Sequence, residues 1–329
     1  MNTQTTYMGL KINSPIIAGS CGLTSDLNKL KAMEDAGVGA VVLKSLFEEQ
    51  IQYEMHARSR MLHDYSEHPD AYNYIKESTR SALVEEYLEL IANAKASLHI
   101  PVIASVNCVT ASDWLSYTKK MQAAGADAIE LNAFVLPANS SQTEEDIYAF
   151  YEDLIQIIKR AITIPFGLKV SSYFTSLART LQKYSWMGVS GLTLFNKFYT
   201  PDIDIEKEKV TAANFTAPST EFYNTLRWIA ILANQVRCDI SGTTGVKNGE
   251  DVIKFLLAGA SSVQVVSALY RDGIEVVKTM NETLKTWMKE HNYETIGDFQ
   301  GKLSHNHAED TTGFYRIQFM KYYSQMNNK

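Results

Sequence analysis

Eight short apolar runs alternate with longer amphipathic segments along the chain, and this alternation constrains the fold more than any other feature. Three of the longer segments end in nearly the same phrase, with a glycine and small residues at the junction: Asp35-Ala36-Gly37-Val38-Gly39-Ala40, Ala123-Ala124-Gly125-Ala126-Asp127-Ala128 and Leu257-Ala258-Gly259-Ala260-Ser261-Ser262. Glycine ends helices because it adopts the left-handed conformation easily. The recurring helix–glycine–strand junction indicates a repeated βα unit, and eight such units predict a closed (β/α)8 TIM barrel.

The apolar runs predict parallel strands, because strands buried on both faces read as continuous apolar stretches. The predicted strands are Ile16–Gly19, Ala40–Leu43, Val102–Val106, Ala128–Leu131, Phe166–Val170, Gly191–Phe195, Cys238–Ser241 and Ser262–Val266. The helices predicted between them include Leu27–Ala36, Trp114–Ala124 and Ile147–Arg160, with Asp113 and Thr143 as N-caps and Asp146 completing a capping box. A barrel of about 250 residues with insertions fits the length, so residues 1–329 are interpreted as a single domain.

Two connections are longer than a βα loop requires. Glu48–Arg80 follows the second strand and is rich in His, Arg and Tyr, and Tyr199–Ala217 follows the sixth strand. Long loops in compact domains are often functional. Both connections are expected at the C-terminal face of the barrel, where the active sites of such folds lie.

Charge and cysteine content argue against several classes of protein. The formal net charge is -6 and the basic residues form no cluster, so neither a nucleic-acid partner nor a tRNA-modifying role is expected. The three cysteines, Cys21, Cys108 and Cys238, have no CxxC spacing, which predicts reduced thiols, no metal site and a cytoplasmic protein. No apolar run of about 18 residues and no signal-peptide pattern occurs, so no membrane contact is expected.

The last two predicted strands end in small residues that suit a phosphate site. Ser241-Gly242-Thr243-Thr244-Gly245-Val246 follows one strand, and Ser267-Ala268 follows the next. Small side chains let backbone N–H groups approach an anion, and the loops after strands seven and eight hold phosphate in many barrels. We therefore predict a phosphate group at Thr244, Gly245 and Ser267.

Polar side chains stand at the ends of the other strands. They are Ser20, Lys44, Ser45, Asn107, Asn132, Lys169 and Asn196. A single lysine or asparagine at a strand end is more often structural. Two lysines at buried strand ends are nevertheless costly unless each meets an anion or an electron-rich ring. A lysine can stabilise the negative charge of a reduced flavin, so the pattern favours a flavin site.

These motifs, in this order, resemble the soluble dihydroorotate dehydrogenase family, which are FMN enzymes on a β/α barrel. In the first half of the chain, Asn13-Ser14-Pro15 and Ala18-Gly19-Ser20 resemble the family's first strand, Lys44-Ser45 resembles its Thr-Lys-Ser, and Glu130-Leu131-Asn132 resembles the opening of its Glu-Leu-Asn-x-Ser-Cys-Pro-Asn motif. Pro165-Phe166-Gly167-Leu168-Lys169 then resembles Pro-x-x-Val-Lys, and Asn196 resembles the asparagine after strand six. Near the end of the chain, Gly242-Thr243-Thr244-Gly245-Val246 resembles Gly-x-Gly-Gly-Ile, Ser267-Ala268 resembles Gly-Thr-Ala, and Tyr293 through Leu303 resembles the C-terminal tail.

The resemblance implies a cofactor, a reaction and a set of site residues. The implied FMN contacts are Ala18, Gly19, Ser20, Lys44, Ser45, Asn107, Asn132, Lys169, Gly242, Thr244, Gly245, Ser267 and Ala268. The implied substrate contacts are Lys44, Asn132 and Asn196. The implied activity is oxidation of dihydroorotate to orotate in pyrimidine biosynthesis, and the implied assembly is a homodimer.

The chain departs from the family where the catalytic base belongs. Val135 or Leu136 stands in place of the family's Cys or Ser, and the family's Asn-Ser-x-Gly-Leu-Pro-Asn loop is absent from Glu48–Arg80. Neither Val nor Leu takes up a proton, so we expect dihydroorotate to be a poor substrate and the true one to be another cyclic amide or an activated double bond.

Residues outside the segment after strand four are candidates for a replacement base. Cys108 and His56 are the candidates, although a free cysteine is more often a small buried hydrophobe and a polar loop often carries a histidine. His63 lies in the same loop, where Arg58 and Arg60 are candidates for binding a carboxylate, while Ser140 and Ser141 are interpreted as caps of the next helix.

Two further classes remain alternatives to this enzyme. One is a flavin-binding paralogue without catalysis, and the other is a phosphate-binding lyase or isomerase barrel without flavin.

Overall fold

Eight parallel strands form the centre of the molecule. The computed structural model describes residues 1–54, 69–108, 111–197, 201–212, 221–308 and 314. The barrel strands are β1 (Ile16–Ala18), β2 (Ala40–Val42), β3 (Val102–Asn107), β4 (Ala128–Leu131), β5 (Phe166–Val170), β6 (Gly191–Leu194), β7 (Asp239–Gly242) and β8 (Ser262–Val265). Each strand pairs in parallel with its neighbours in chain order, and β8 pairs with β1 to close the ring. The predicted (β/α)8 TIM barrel is therefore confirmed.

Helices follow the strands and cover the outer face of the barrel. They are α1 (Leu27–Asp35), α2 (Pro69–Ser97), α3 (Ala111–Ala123), α4 (Glu144–Ala161), α5 (Leu177–Met187), α6 (Glu221–Leu232), α7 (Gly249–Ala258), α8 (Ser267–Asp272) and α9 (Val276–Glu290). Their apolar faces and the outward-facing strand residues form one large buried core. None of the helices in the described part of the chain is both long enough and apolar enough to cross a membrane.

The helix ends confirm one predicted cap and correct two others. Thr143 caps α4 by accepting a hydrogen bond from the backbone N–H of Asp146, whose side chain accepts from the backbone N–H of Thr143 in return. The prediction of Asp113 as an N-cap is wrong, because α3 begins at Ala111 and Asp113 lies in its first turn, paired with Arg80. Ser141 does not cap α4 either, since its side chain and backbone N–H both bond to the Asn139 side chain.

The connections contain structure that the periodicity did not reveal. Helix α2 begins at Pro69, inside the region predicted as a long loop. A short strand, Leu46–Phe47, pairs with the end of β3. An antiparallel hairpin, Pro201–Asp204 with Lys209–Ala212, occupies the long connection after β6.

An N-terminal hairpin plugs the barrel at the end where the strands begin. Its strands, Thr5–Tyr7 and Leu10–Ile12, pair antiparallel, and the turn residues Met8 and Gly9 have φ values of 53° and 75°. The hairpin's apolar side chains pack with residues that point into the barrel, in the cluster Tyr7, Met8, Ile12, Ile17, Ala40, Val42, Ile103 and Ala128. Sequence analysis did not predict this hairpin, because its strands are only three residues long.

Glycines in the barrel wall make room for the plug. A Cβ added at Gly191 would lie 2.8 Å from Met8 Cγ and 3.0 Å from Tyr7 Cε2. A Cβ at Gly167 would lie 2.8 Å from Met8 Cε. The two positions are paired neighbours in β5 and β6, so the absence of side chains there creates one continuous recess for the hairpin.

Candidate functional site

Ser45 joins the polar groups at the C-terminal end of the barrel. Its Oγ lies 3.1 Å from Ser20 Oγ and 2.7 Å from Ser105 Oγ, and it accepts a hydrogen bond of 3.3 Å from Asn132 Nδ2. Asn196 Nδ2 in turn donates to Asn132 Oδ1 at 2.7 Å. The predicted residues at the ends of strands one, two, four and six therefore form a single hydrogen-bonded network.

The end of β3 belongs to the same network. The side chain of Asn107 is buried and donates to the backbone oxygen of Asn132 at 2.8 Å. Tyr87 of α2 accepts a hydrogen bond from the backbone N–H of Ser105 and donates one to its backbone oxygen, each 2.9 Å long. These contacts hold Asn107 and Ser105 in fixed positions at the mouth of the barrel, because buried polar groups stay paired.

A cavity of about 240 Å³ brings the predicted phosphate loops together with one of the lysines. It is lined by Ser20, Lys169, Phe195, Asn196, Lys197, Thr243, Thr244, Gly245, Val246, Lys247, Gln264, Val266, Ser267 and Arg271. Four of these side chains are cationic, including Lys197, Lys247 and Arg271, which sequence analysis missed. Small loop residues, backbone N–H groups and several cations on one wall suit a phosphate.

The loop after β7 has an unusual backbone. Thr244 and Gly245 have φ values of 70° and 73°, and positive φ is rare for a β-branched residue such as threonine. The hydroxyl of Thr244 lies 2.7 Å from the hydroxyl of Thr225, which is buried on α6. Strained backbone that is held in place by neighbours is characteristic of functional sites, and here it is located in the predicted phosphate loop.

Glycines and alanines at these strand ends fill different roles. A Cβ at Gly19 would lie 2.8 Å from Val266 Cγ2, so Gly19 allows close approach of β1 to the end of β8. A Cβ at Gly242 would lie 2.4 Å from Phe255, so this glycine allows α7 to pack closely. Ala18 and Ala268 are buried in the core beneath the helices.

A second polar group lies inside the barrel, below the mouth. Glu130 is 0% exposed, and its Oε2 accepts hydrogen bonds from Thr193 Oγ1 at 2.8 Å and from Gln264 Nε2 at 2.6 Å. Its Oε1 lies 3.9 Å from Nζ of Lys169, which is 7% exposed. Tyr7 of the plug completes the group, with its hydroxyl 2.9 Å from Thr193 Oγ1. Burial and the nearby Glu130 carboxylate raise the pKa of Tyr7 well above its usual value, so this hydroxyl stays protonated.

Sequence analysis quoted Glu130 in a motif but did not identify it as a site residue, and it missed Gln264 and Thr193. The sequence did contain a pattern that could have identified Glu130 and Gln264. Glu130 and Gln264 are polar residues inside otherwise apolar strands, and Glu130 precedes Asn132 by two positions, which places both side chains on the same face of the strand.

Lys44 lies in a different place from Lys169. It is half-buried and lines a separate cavity of about 560 Å³, bounded by the end of β2 and by the helices α1 and α2. Leu27, Leu83 and Tyr87 are among the side chains around it. The structure therefore brings Lys169, and not Lys44, to the cavity that holds the phosphate loops.

The segment after β4 offers no proton acceptor in its side chains at the expected position. Val135 is partly buried, and its backbone N–H donates to Tyr151 Oη at 3.2 Å. Leu136 is 52% exposed. Cys108 is 6% exposed within the core, and burial raises the pKa of its thiol far above the usual value, which disfavours it as a base. His56, His63, Arg58 and Arg60 lie outside the described residues.

Metal chemistry finds no support in the described residues. Among them, no group of three or more His, Cys, Asp or Glu side chains has an arrangement that could hold a metal ion.

A TIM barrel with a cationic, phosphate-suited cavity at the ends of strands seven and eight defines the class of protein. Comparison with known proteins identifies the family within that class. A family model described as dihydroorotate dehydrogenase matches residues 2–288. The chain therefore belongs to the dihydroorotate dehydrogenase family, a family of flavin oxidoreductases.

Individual relatives come from several branches. The chain is 27% identical over 312 residues to the catalytic subunit of dihydroorotate dehydrogenase B (NAD(+)) from Thermoplasma volcanium, covering 90% of this chain and 97% of the relative. It is 27% identical over 214 residues to dihydroorotate dehydrogenase A (fumarate) from Lactobacillus delbrueckii subsp. bulgaricus, covering 64% and 69%. It is 24% identical over 325 residues to the chloroplastic dihydropyrimidine dehydrogenase (NADP(+)) of Arabidopsis thaliana, covering 90% and 75%.

Proposed function

We propose that the protein is an FMN-dependent oxidoreductase that acts on a carbon–carbon bond of a small cyclic amide. The observation that carries the proposal is the mouth cavity, whose wall combines Thr244, Gly245 and Ser267 with the buried Lys169 and with Asn196. These residues suit the two ends of FMN, a phosphate and a ring that becomes negative on reduction. FMN, when bound, supplies two-electron redox chemistry that the side chains of the protein lack.

The residues of the mouth divide into two proposed roles. The loops after β7 and β8 would hold the phosphate, while Lys169 at the cavity wall would meet the ring. The Asn132–Asn196 pair would orient the amide groups of the substrate, since carboxamides both donate and accept hydrogen bonds.

The segment after β4 argues for a shifted substrate. Removing a proton from carbon needs a positioned base, and Val135 and Leu136 do not provide one. The similarity to a dihydropyrimidine dehydrogenase supports a cyclic amide other than dihydroorotate. Turnover of dihydroorotate itself, and with it a place in pyrimidine biosynthesis, is the second candidate, favoured by the dihydroorotate dehydrogenases among the relatives.

The test compares binding of FMN and riboflavin, which differ only in the phosphate. Ser267→Asp adds a negative charge to the predicted cradle, and Ser141→Asp adds the same charge to an exposed loop. We expect Ser267→Asp to weaken FMN affinity at least tenfold with riboflavin affinity unchanged, because like charges at close range repel. The control should match the wild type for both ligands.

The same measurements decide between the classes. A wild-type protein that binds neither flavin would contradict the proposal and favour a barrel without flavin. A flavin-loaded protein that no cyclic amide and no activated double bond oxidises or reduces, in an anaerobic screen of flavin absorbance, would favour the non-catalytic paralogue.

A further inference from the structure

The two oxygens of the Glu130 carboxylate have different surroundings. Its Oε2 accepts both of the hydrogen bonds that the side chain receives, from Thr193 and Gln264. Its Oε1 accepts none from the described residues, and the nearest cation to it is Lys169 Nζ at 3.9 Å. The hydrogen bonds therefore fix the carboxylate, and its remaining oxygen faces the lysine.

Lys169 lies between this carboxylate and the mouth cavity. It is almost completely buried and yet lines the cavity together with the phosphate loops. A buried ammonium needs a counter-charge, and Glu130 is the acidic residue paired with it. The position of the ammonium at the cavity wall thus depends on a residue that does not line the cavity itself.

Hydrogen bonds link Glu130 to the N-terminal hairpin that plugs the barrel. Thr193 donates to Glu130 and also lies within hydrogen-bond distance of the Tyr7 hydroxyl, while Gln264 Nε2 contacts both Glu130 and Thr193. Each member is at most 1% exposed, so water does not compete for these contacts. Hydrogen bonds in a buried, low-dielectric site are stronger than exposed ones, so these contacts restrain the Glu130 carboxylate.

We propose that Glu130 is a positioning residue for the cofactor: it holds the Lys169 ammonium at the cavity wall and offsets part of its charge, and so sets how strongly the site prefers reduced flavin to oxidised flavin. This inference rests on the proposed function, because it requires FMN in the mouth cavity. It assigns Glu130 a role that acts only through Lys169.

The direction in which the Glu130 charge changes the flavin preference follows from electrostatics. Reduced flavin carries negative charge on its ring, and a lysine that Glu130 no longer offsets would attract that charge more strongly. Glu130→Gln keeps the size of the side chain and one oxygen that can accept from Thr193 and Gln264, but it replaces the second oxygen with an NH2 group and removes the charge. We therefore expect Glu130→Gln to favour reduced FMN and Lys169→Met to favour oxidised FMN.

The experiment measures the midpoint potential of the bound FMN in the whole protein by anaerobic spectrophotometric titration, together with the Kd for oxidised FMN. For Glu130→Gln we expect the ratio of the two Kd values, oxidised over reduced, to rise at least tenfold, which is about 30 mV for a two-electron couple. Asp239→Asn is the matched control, since Asp239 is a barrel carboxylate that contacts Gly9 and Ser261 far from the mouth. Its ratio should equal that of the wild type.

A double variant separates positioning from a purely structural role. In the Lys169→Met background, adding Glu130→Gln should change the ratio of Kd values by less than tenfold, because the lysine that Glu130 positions is missing and only the weaker, longer-range effect of the Glu130 charge remains. The double variant also serves if Glu130→Gln alone does not fold, since it leaves neither charge unpaired in the barrel. Ratios for Lys169→Met and the double variant that agree within tenfold support the inference, and a larger difference overturns it.

The outcomes distinguish this inference from the proposed function. A wild-type protein that does not bind FMN contradicts both. A wild-type protein that binds FMN, with a Glu130→Gln ratio that changes less than tenfold or in the opposite direction, overturns the role of Glu130 alone.

Discussion

The side-chain amide of Asn196 donates a hydrogen bond of 2.7 Å to Oδ1 of Asn132, and this contact joins the ends of β6 and β4 across the mouth of the barrel. Asn132 Nδ2 bonds in the other direction, to Ser45 Oγ. The two amides are thus held in one orientation, which is what recognition of a planar amide ring requires.

Asn196→Ala should weaken binding of orotate or a related cyclic amide roughly tenfold. The substitution removes one donor and leaves Asn132 Oδ1 without this partner, a loss of about 1–3 kcal/mol. Titration of the ligand against the absorbance of bound flavin measures the effect. Asn139→Ala, in an exposed loop, is the control, and equal ligand affinity in the two variants would contradict the role of Asn196.

Dihydroorotate should reduce the bound flavin slowly. A positioned general base contributes about 10²–10⁴-fold to rate, and neither Val135 nor Leu136 supplies one. Anaerobic stopped-flow absorbance measures the rate. Val135→Cys, which introduces an ionisable thiol, should raise it more than Leu136→Cys, whose position is largely exposed. Rapid, saturable reduction by the wild-type protein would show that another residue acts as base.

Two of the three thiols should be unreactive in the native protein. Burial raises the pKa of the Cys238 thiol to about 12, and it raises that of Cys108 as well. At pH 8 a thiol with pKa 12 is thiolate to only about 1 part in 10⁴, and the thiolate is the reactive form. Iodoacetamide labelling followed by mass spectrometry should therefore be at least about 100-fold slower at both sites than in urea.

Cys108→Ser supplies the matching activity test. Because the Cys108 thiol stays protonated, the variant should retain the turnover of whichever substrate the screen identifies. Loss of turnover, or labelling of native Cys108 as fast as in urea, would restore Cys108 as a candidate base.

Gly191→Ala should destabilise the fold. The added methyl group would overlap Met8 and Tyr7 of the plug, and overpacking of this kind costs about 1–3 kcal/mol. Urea denaturation measures the change in the free energy of unfolding. Gly297→Ala is the control, because its nearest contact would be 3.6 Å away, and it should change stability by less than about 0.5 kcal/mol. Equal stabilities of the two variants would mean that the plug does not depend on the recess.

The barrel strands could be predicted from the sequence because each is marked by residues within or next to it. Ala128–Leu131 and Phe166–Val170 match the structure residue for residue, and the other six predicted strands end or begin within one residue of the observed ones. A strand buried on both faces has to be apolar along its length, and glycines that end the preceding helices mark where β2, β4, β6 and β8 begin. The same local signal located Asn132, Lys169 and Thr244 at strand ends.

The tertiary structure alone decided how those ends combine. Two similar-looking lysines at strand ends, Lys44 and Lys169, line different cavities, because the path of α2 beside β2 creates a second cavity there. The contact of Glu130 with Gln264 joins positions 134 residues apart, and the contact of Tyr7 with Thr193 joins positions 186 residues apart. No periodic pattern encodes such pairs, because periodicity reports which face of an element is buried and not what it is buried against.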